Sequence, residues 1–135
     1  MVKVIMGLKG SGKTKELVKR INEAVQNENG SVVCIELGKA LMYDVDYRVR
    51  LIDAKEYSIN NITLLKGFIS GLHAGNFDIT HVFIEGLYKL IGNDRAVGEE
   101  FVQWCETFGN VNSMNFTITV SDDPQVASSG MQKYL

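Results

Sequence analysis

The sequence predicts an α/β protein of three layers, in which a mainly parallel sheet of about five strands carries helices on both faces. Three observations lead there. Short apolar runs rich in β-branched residues alternate along the chain with longer segments whose apolar residues recur at helical spacing. The run Ser31 to Leu37 (SVVCIEL) is almost continuously apolar, as expected of a strand covered on both sides. A glycine-rich turn joins the first run to the first helix, the connection a parallel strand–helix unit requires.

Val2 to Met6 is a predicted strand bounded by Gly7. Lys13 to about Gln26 is a predicted helix, because Leu17, Ile21 and Ala24/Val25 fall on one face while Glu16 can pair with Lys19 and Arg20 on the other. Asn27 to Gly30 closes it, and Ser31 to Leu37 forms the second strand. The following stretch has two readings. Leu41–Tyr43 and Tyr47–Leu51 can pair as a hairpin around Asp44–Asp46, or Arg48 to Asp53 (RVRLID) can supply a third sheet strand.

From Asn60 to Ala74 a helix is expected, with Ile62, Leu65, Phe68 and Leu72 on one face. Gly67 and Gly71, one turn apart, are expected to let it approach its neighbour closely, and Gly75 stops it. Ile79 to Glu85 reads as a strand ending in a carboxylate. Val97, Phe101, Trp104 and Phe108 mark another helix, with Glu99 and Glu100 near its N-terminus. Phe116 to Val120 (FTITV) is the last strand, followed by Ser121-Asp122-Asp123-Pro124 and a short tail without strong pattern. Residues 1–135 read as a single domain.

Composition narrows the function classes. Hydrophobic residues make up 45% and charged residues 22%, ordinary for a globular chain. A net charge of −2 and a pI near 5.7 give no electrostatic footprint for nucleic acid. Cys34 and Cys105 have no CxxC neighbour and read as free core thiols. No apolar window reaches the length of a membrane span, and the strand at the very start leaves no room for a signal peptide, so a cytoplasmic protein is expected.

The strongest chemical signal is Gly7-Leu8-Lys9-Gly10-Ser11-Gly12-Lys13-Thr14, which fits G-x-x-x-x-G-K-[ST] in full. Glycines permit the positive φ angles that turn successive N–H groups toward one point, and the following helix aims its positive end there. Lys13 is placed to reach β- and γ-phosphates, and the Thr14 hydroxyl to hold Mg²⁺. A chance match is expected in roughly 1% of shuffled chains of this composition, before the flanking strand and helix are required. The expected ligand is a nucleoside triphosphate, ATP with Mg²⁺.

On these residues the chain resembles the P-loop NTPase superfamily, over essentially all 135 residues as an order of elements. GLKGSGKTKELVKRI is similar to the loop and first helix of thymidine kinases. The chain also resembles small uncharacterised bacterial ATP-binding proteins, some labelled after the twitching-motility ATPase. That label transfers little, because the pilus motors are larger and carry acidic and histidine motifs absent here.

The resemblance implies a strand ending in an aspartate that supports Mg²⁺, often followed by a glutamate that activates water. The best match is His81-Val82-Phe83-Ile84-Glu85-Gly86, in which Glu85 takes either the metal-supporting or the catalytic position and one acid is lost in both alignments. Strand carboxyl ends bind ligands in doubly wound sheets, which nominates Glu36, Asp53, Glu85 and Ser121/Asp122. Asp53 is a candidate for the missing metal acid, Ser121 for sensing the γ-phosphate. Arg95 reads as a solvated arginine, with charge stabilisation in phosphoryl transfer as the alternative. His73 and His81 read as structural. Tyr43, Tyr47 and Tyr57 read as packing residues, with base stacking as the alternative.

A slow ATPase using Lys13, Thr14 and Glu85 is the leading expectation. A non-hydrolysing, nucleotide-responsive module that meets a protein partner or a second copy is the alternative. A small-molecule kinase is less favoured, since the chain is short for an acceptor pocket and lacks the zinc cysteines of thymidine kinases. No N-K-x-D guanine motif occurs.

Overall fold

Every one of the five strands is buried on at least part of its length, and each finds parallel partners. The computed structural model describes residues 1–135. The elements run β1 (Val2–Gly7), α1 (Lys13–Asn27), β2 (Ser31–Glu36), β3 (Arg50–Asp53), α2 (Ile62–Gly75), β4 (Ile79–Ile84), α3 (Leu87–Ile91), α4 (Arg95–Asn112), β5 (Asn115–Ser121) and α5 (Ser129–Gln132), with single 3-10 turns at Ala54–Tyr57 and Pro124–Val126. The sheet order is β1-β5-β4-β2-β3 and every pairing is parallel. This is the three-layer α/β architecture that the alternation predicts.

The side-chain alternation of β2 builds both layers at once. Val32 and Cys34 pack with Leu17, Ile21 and Ala24 of α1 and with Phe83 of β4. Val33 and Ile35 point the other way, into a larger core with Leu65 and Ile69 of α2, Phe101 and Val102 of α4, and Phe116 and Ile118 of β5. Two buried faces explain why the strand shows no polar alternation. The long helices on the second face start on side-chain caps: Asn61 Oδ1 accepts from Leu64 N at 2.9 Å, and Asp94 Oδ1 from Ala96 N at 2.9 Å. Cys34 and Cys105 are buried and unpaired, and burial pushes both thiols up, which keeps them unreactive.

Several local expectations change. The hairpin does not form; residues 39–49 are turns and Arg50–Asp53 pairs with β2 as the third strand. The turns are fastened to α1 instead, with Leu41 and Val49 in its core cluster, Asn22 Nδ2 donating to Asp44 O (3.2 Å) and Asp46 N donating to Asn22 Oδ1 (2.9 Å). Tyr43 and Tyr47 are therefore not packing residues: they are 90% and 93% exposed. Tyr57 is half-exposed against Phe68, ring centroids 5.2 Å apart. Gly67 and Gly71 lie on the outer side of α2, where a Cβ would meet nothing within 4 Å, so they mediate no close approach. The C-terminal tail is ordered by burial of Met131 and Tyr134, and Tyr134 O accepts from Val4 N at 2.8 Å, covering part of the open edge of β1. No helix is long and apolar enough to cross a membrane.

Candidate functional site

Because all five strands are parallel, their carboxyl ends share one rim, and the turn after β1 lies at one end of it. Gly10 and Gly12 have φ of +86° and +89°, left-handed values that glycine adopts without steric cost. Gly12 is the N-cap of α1 and gives it no side-chain cap, while its carbonyl accepts the first helical bond from Glu16 N at 3.1 Å. The N–H groups of the first turn consequently have no partner within the helix and face outward. Gly7 is fixed for a different reason: a Cβ there would collide with the Ser11 side chain.

A cavity of about 610 Å³ opens over this turn. The loop contributes Lys9, Gly10, Gly12, Lys13, Thr14 and Lys15, and the rim contributes Glu85, Lys89 and Ser121, with no apolar residue among them. Lys13 curls over the loop and its Nζ donates to Leu8 O at 3.1 Å. The Thr14 hydroxyl faces Glu85, Oγ1 to Oε1 being 3.5 Å. On its other oxygen Glu85 meets Lys89 Nζ at 3.4 Å. Four lysines against one carboxylate make the cavity strongly anion-attracting.

Neighbouring strands hold Glu85 in place. Its N–H donates to Ile35 O at 2.9 Å, and the next amide, Gly86 N, donates to the buried Thr119 Oγ1 at 2.7 Å. Gly86 has φ +72°, and a Cβ there would come within 2.9 Å of the Lys89 chain. The position next to Glu85 thus favours glycine. Ser121 is paired with Gly7 across β5 and β1, and so sits between the loop and Glu85.

The rim does not gather the other nominated acids. Asp53 lies on β3, four strand spacings from β1, about 19 Å. Its Oδ1 accepts from Gly38 N (2.8 Å) and Lys55 N (3.0 Å), and those amides hold its carboxyl below the usual range. The structure therefore corrects its placement as a metal acid: it is a turn cap. Glu36 is 2% exposed, accepts from Leu41 N at 3.2 Å, and has its pKa raised by burial. Asp122 grips Arg95 with two bonds of 2.7 and 2.8 Å, which lowers its pKa and ties up the guanidinium. Arg95 is thus exposed, at 62%, and ion-paired with Asp122.

The donor set suits one metal. No cluster of three His, Cys, Asp or Glu exists that could cage an ion. A hydroxyl and one carboxylate are what Mg²⁺ takes from a protein when phosphates and water complete its shell. Adjacent ligands of an octahedron with bonds near 2.1 Å lie about 2.9 Å apart. Thr14 Oγ1 and Glu85 Oε1 stand 3.5 Å apart, close to that spacing.

Sequence reasoning missed Lys89 and Thr119. The i, i+4 spacing of Glu85 and Lys89 was a usable signal for the first; nothing in the sequence marks Thr119, an ordinary strand position. No protein-family model matches the chain and no curated protein does, so the functional reading rests on the geometry of this cavity.

Proposed function

We propose that the chain binds ATP with Mg²⁺ in the loop Gly7–Thr14 and hydrolyses it slowly. The observation that carries this reading is the cavity itself: an uncapped helix N-terminus, two left-handed glycines and four lysines converging around one carboxylate. Consecutive amides in such a nest favour a compact polyanion, and Lys13 supplies charge beside it. The pairing of Thr14 with Glu85 supports a metal-bound triphosphate over bare phosphate, with Thr14 and Glu85 as its protein ligands. Bound Mg²⁺ would supply neutralisation of the terminal phosphates. The free, buried Cys34 and Cys105 fit a reducing, cytoplasmic setting.

Slowness follows from what is missing. Phosphoryl transfer needs positioned water and positive charge on the transferring group. Glu85 is the one acid in the cavity, Gly86 has no side chain to orient water, and Arg95 is held by Asp122.

Calorimetry with MgATP tests the reading, with circular dichroism as a folding control. Lys13→Ala should weaken binding by about 2 kcal/mol, about 30-fold, as loss of a charge-assisted contact implies. Equal affinity in the wild type and the folded variant would sink the site. Phosphate release should run far below the typical enzyme turnover of about 10 per second. Tight binding with no release at all would identify a nucleotide-responsive binding module instead.

A further inference from the structure

We infer that Lys89 recognises the terminal phosphate, so that this residue makes the site selective for a nucleoside triphosphate over a diphosphate; the inference rests on the ATP-binding reading above. Lys89 lies on the short α3, four residues after Glu85, and folds back over Gly86 so that its Nζ reaches Glu85 Oε2 at 3.4 Å. The opposite oxygen of the same carboxylate faces the Thr14 hydroxyl. Glu85 thus stands between the expected metal position and the Lys89 ammonium.

The order of groups fixes which phosphate Lys89 meets. The loop amides would surround the inner phosphates close to β1 and α1, with Lys13 reaching from there toward the outermost one. Lys89 enters the cavity from α3, beside Glu85 at the carboxyl end of β4, two strand spacings from β1. A phosphate held beside Thr14 and Glu85 would be the one farthest from the nest. A diphosphate filling the nest would not extend to it.

The charge balance gives the exchange its direction. The Lys89 side chain is 56% exposed while Glu85 is 13% exposed, so the cation is mobile and its ion pair contributes little. With a divalent cation held by Thr14 and Glu85, the carboxylate would hold the lysine less, leaving the ammonium free for phosphate oxygens beside it. Arg95 does not line this cavity and is engaged by Asp122 through two short bonds.

The experiment is calorimetric titration of wild type, Lys89→Met, Lys89→Arg, Glu85→Gln and Lys89→Met combined with Glu85→Gln. The probes are Mg²⁺ with a non-hydrolysable ATP analogue and Mg²⁺ with ADP. Lys89→Met should weaken the triphosphate at least about tenfold and change ADP by no more than about twofold, and Lys89→Arg should retain the preference. The double variant separates direct contact from mere neutralisation of Glu85. If Lys89 contacts the phosphate, its loss still removes the preference in the Glu85→Gln background. If the preference returns in the double variant, or if both ligands weaken equally, the inference is overturned while ATP binding stands. Wild-type protein that binds neither probe would overturn both.

Discussion

The buried histidine of β4 offers a measurable test of how this sheet is held together. His81 is 6% exposed and stacks on Phe83 at 4.0 Å. Its Nδ1 lies 2.8 Å from Glu28 Oε2 and its Nε2 lies 2.8 Å from Thr117 Oγ1, while Thr80 Oγ1 donates to the second Glu28 oxygen at 2.9 Å. A carboxylate only accepts, so neutral His81 carries its proton on Nδ1 and takes the Thr117 hydroxyl proton on Nε2. Thr117→Val keeps the shape and removes that donor. A buried nitrogen left without a partner costs about 1–3 kcal/mol. For a chain of 135 residues, 1 kcal/mol moves Tm by about 3–4 °C, so Tm should fall by about 4–10 °C at pH 8.

The pH dependence has a defined sign. Burial lowers the His81 pKa below its ordinary 6.5, with Glu28 opposing part of the shift. The folded state therefore binds fewer protons than the unfolded chain, and His81 contributes stability that is complete above pH 6.5 and is lost as pH falls toward its folded pKa. Glu36, raised by burial, works in the opposite direction in the acid part of that window, so the informative quantity is a difference between proteins. Valine at 117 leaves a protonated Nε2 with no acceptor, which lowers the folded pKa further. Thr117→Val should accordingly lose more Tm than the wild type between pH 7.5 and 5.5, measured by calorimetric melting. Parallel Tm curves, or a Tm within 1 °C of the wild type at pH 8, would refute the network.

Two further outcomes concern the cavity. Mg²⁺ should strengthen triphosphate binding in the wild type, less so in Glu85→Gln, and without change in Asp53→Asn, whose carboxylate caps a turn four strands away; coupling lost in Asp53→Asn and kept in Glu85→Gln, by titrating Mg²⁺ at fixed nucleotide, would reverse the assignment. Gly12→Ala should cost about 1–2 kcal/mol of stability from its left-handed φ, read by urea unfolding, and a cost under about 0.5 kcal/mol would show that the loop relaxes to other backbone angles.

Much of this was legible because it is local. The loop is eight consecutive residues, and β2 betrays its double burial through an unbroken apolar run. The failures are non-local. Nothing near residues 39–49 distinguishes a hairpin from turns, because the choice is made by Asn22 on α1 and by the free edge of β2. Gly67 and Gly71 have the spacing of a contact stripe, but the apolar face of α2 is set by Leu65 and Ile69, and the glycines fall opposite. α3 has five residues, too few for helical periodicity to register, so the i, i+4 spacing of Glu85 and Lys89 was the one sequence signal for that lysine.

The strand order decides which acids serve the loop, and the sequence carries no record of it. Chain order puts Glu36 and Asp53 nearer to the loop than Glu85. In space β5 is inserted beside β1 and β4 comes next, so Ser121 is one strand spacing from the loop, Glu85 two, Glu36 three and Asp53 four. At about 4.8 Å per spacing, only the first two fall within about 10 Å, the span across which side chains can share a metal and its phosphates. Turn chemistry then commits the distant acids, Glu36 to Leu41 N and Asp53 to Gly38 N and Lys55 N. The rim is left electrically graded, with Lys9, Lys13, Lys15 and Lys89 against Glu85 around the loop, and Glu36, Asp53 and Glu56 against Lys39 around the opposite end. A polyanion approaching that rim would be drawn to the loop end over the other, so the strand order that separates the acids also sets the direction of the field along the rim.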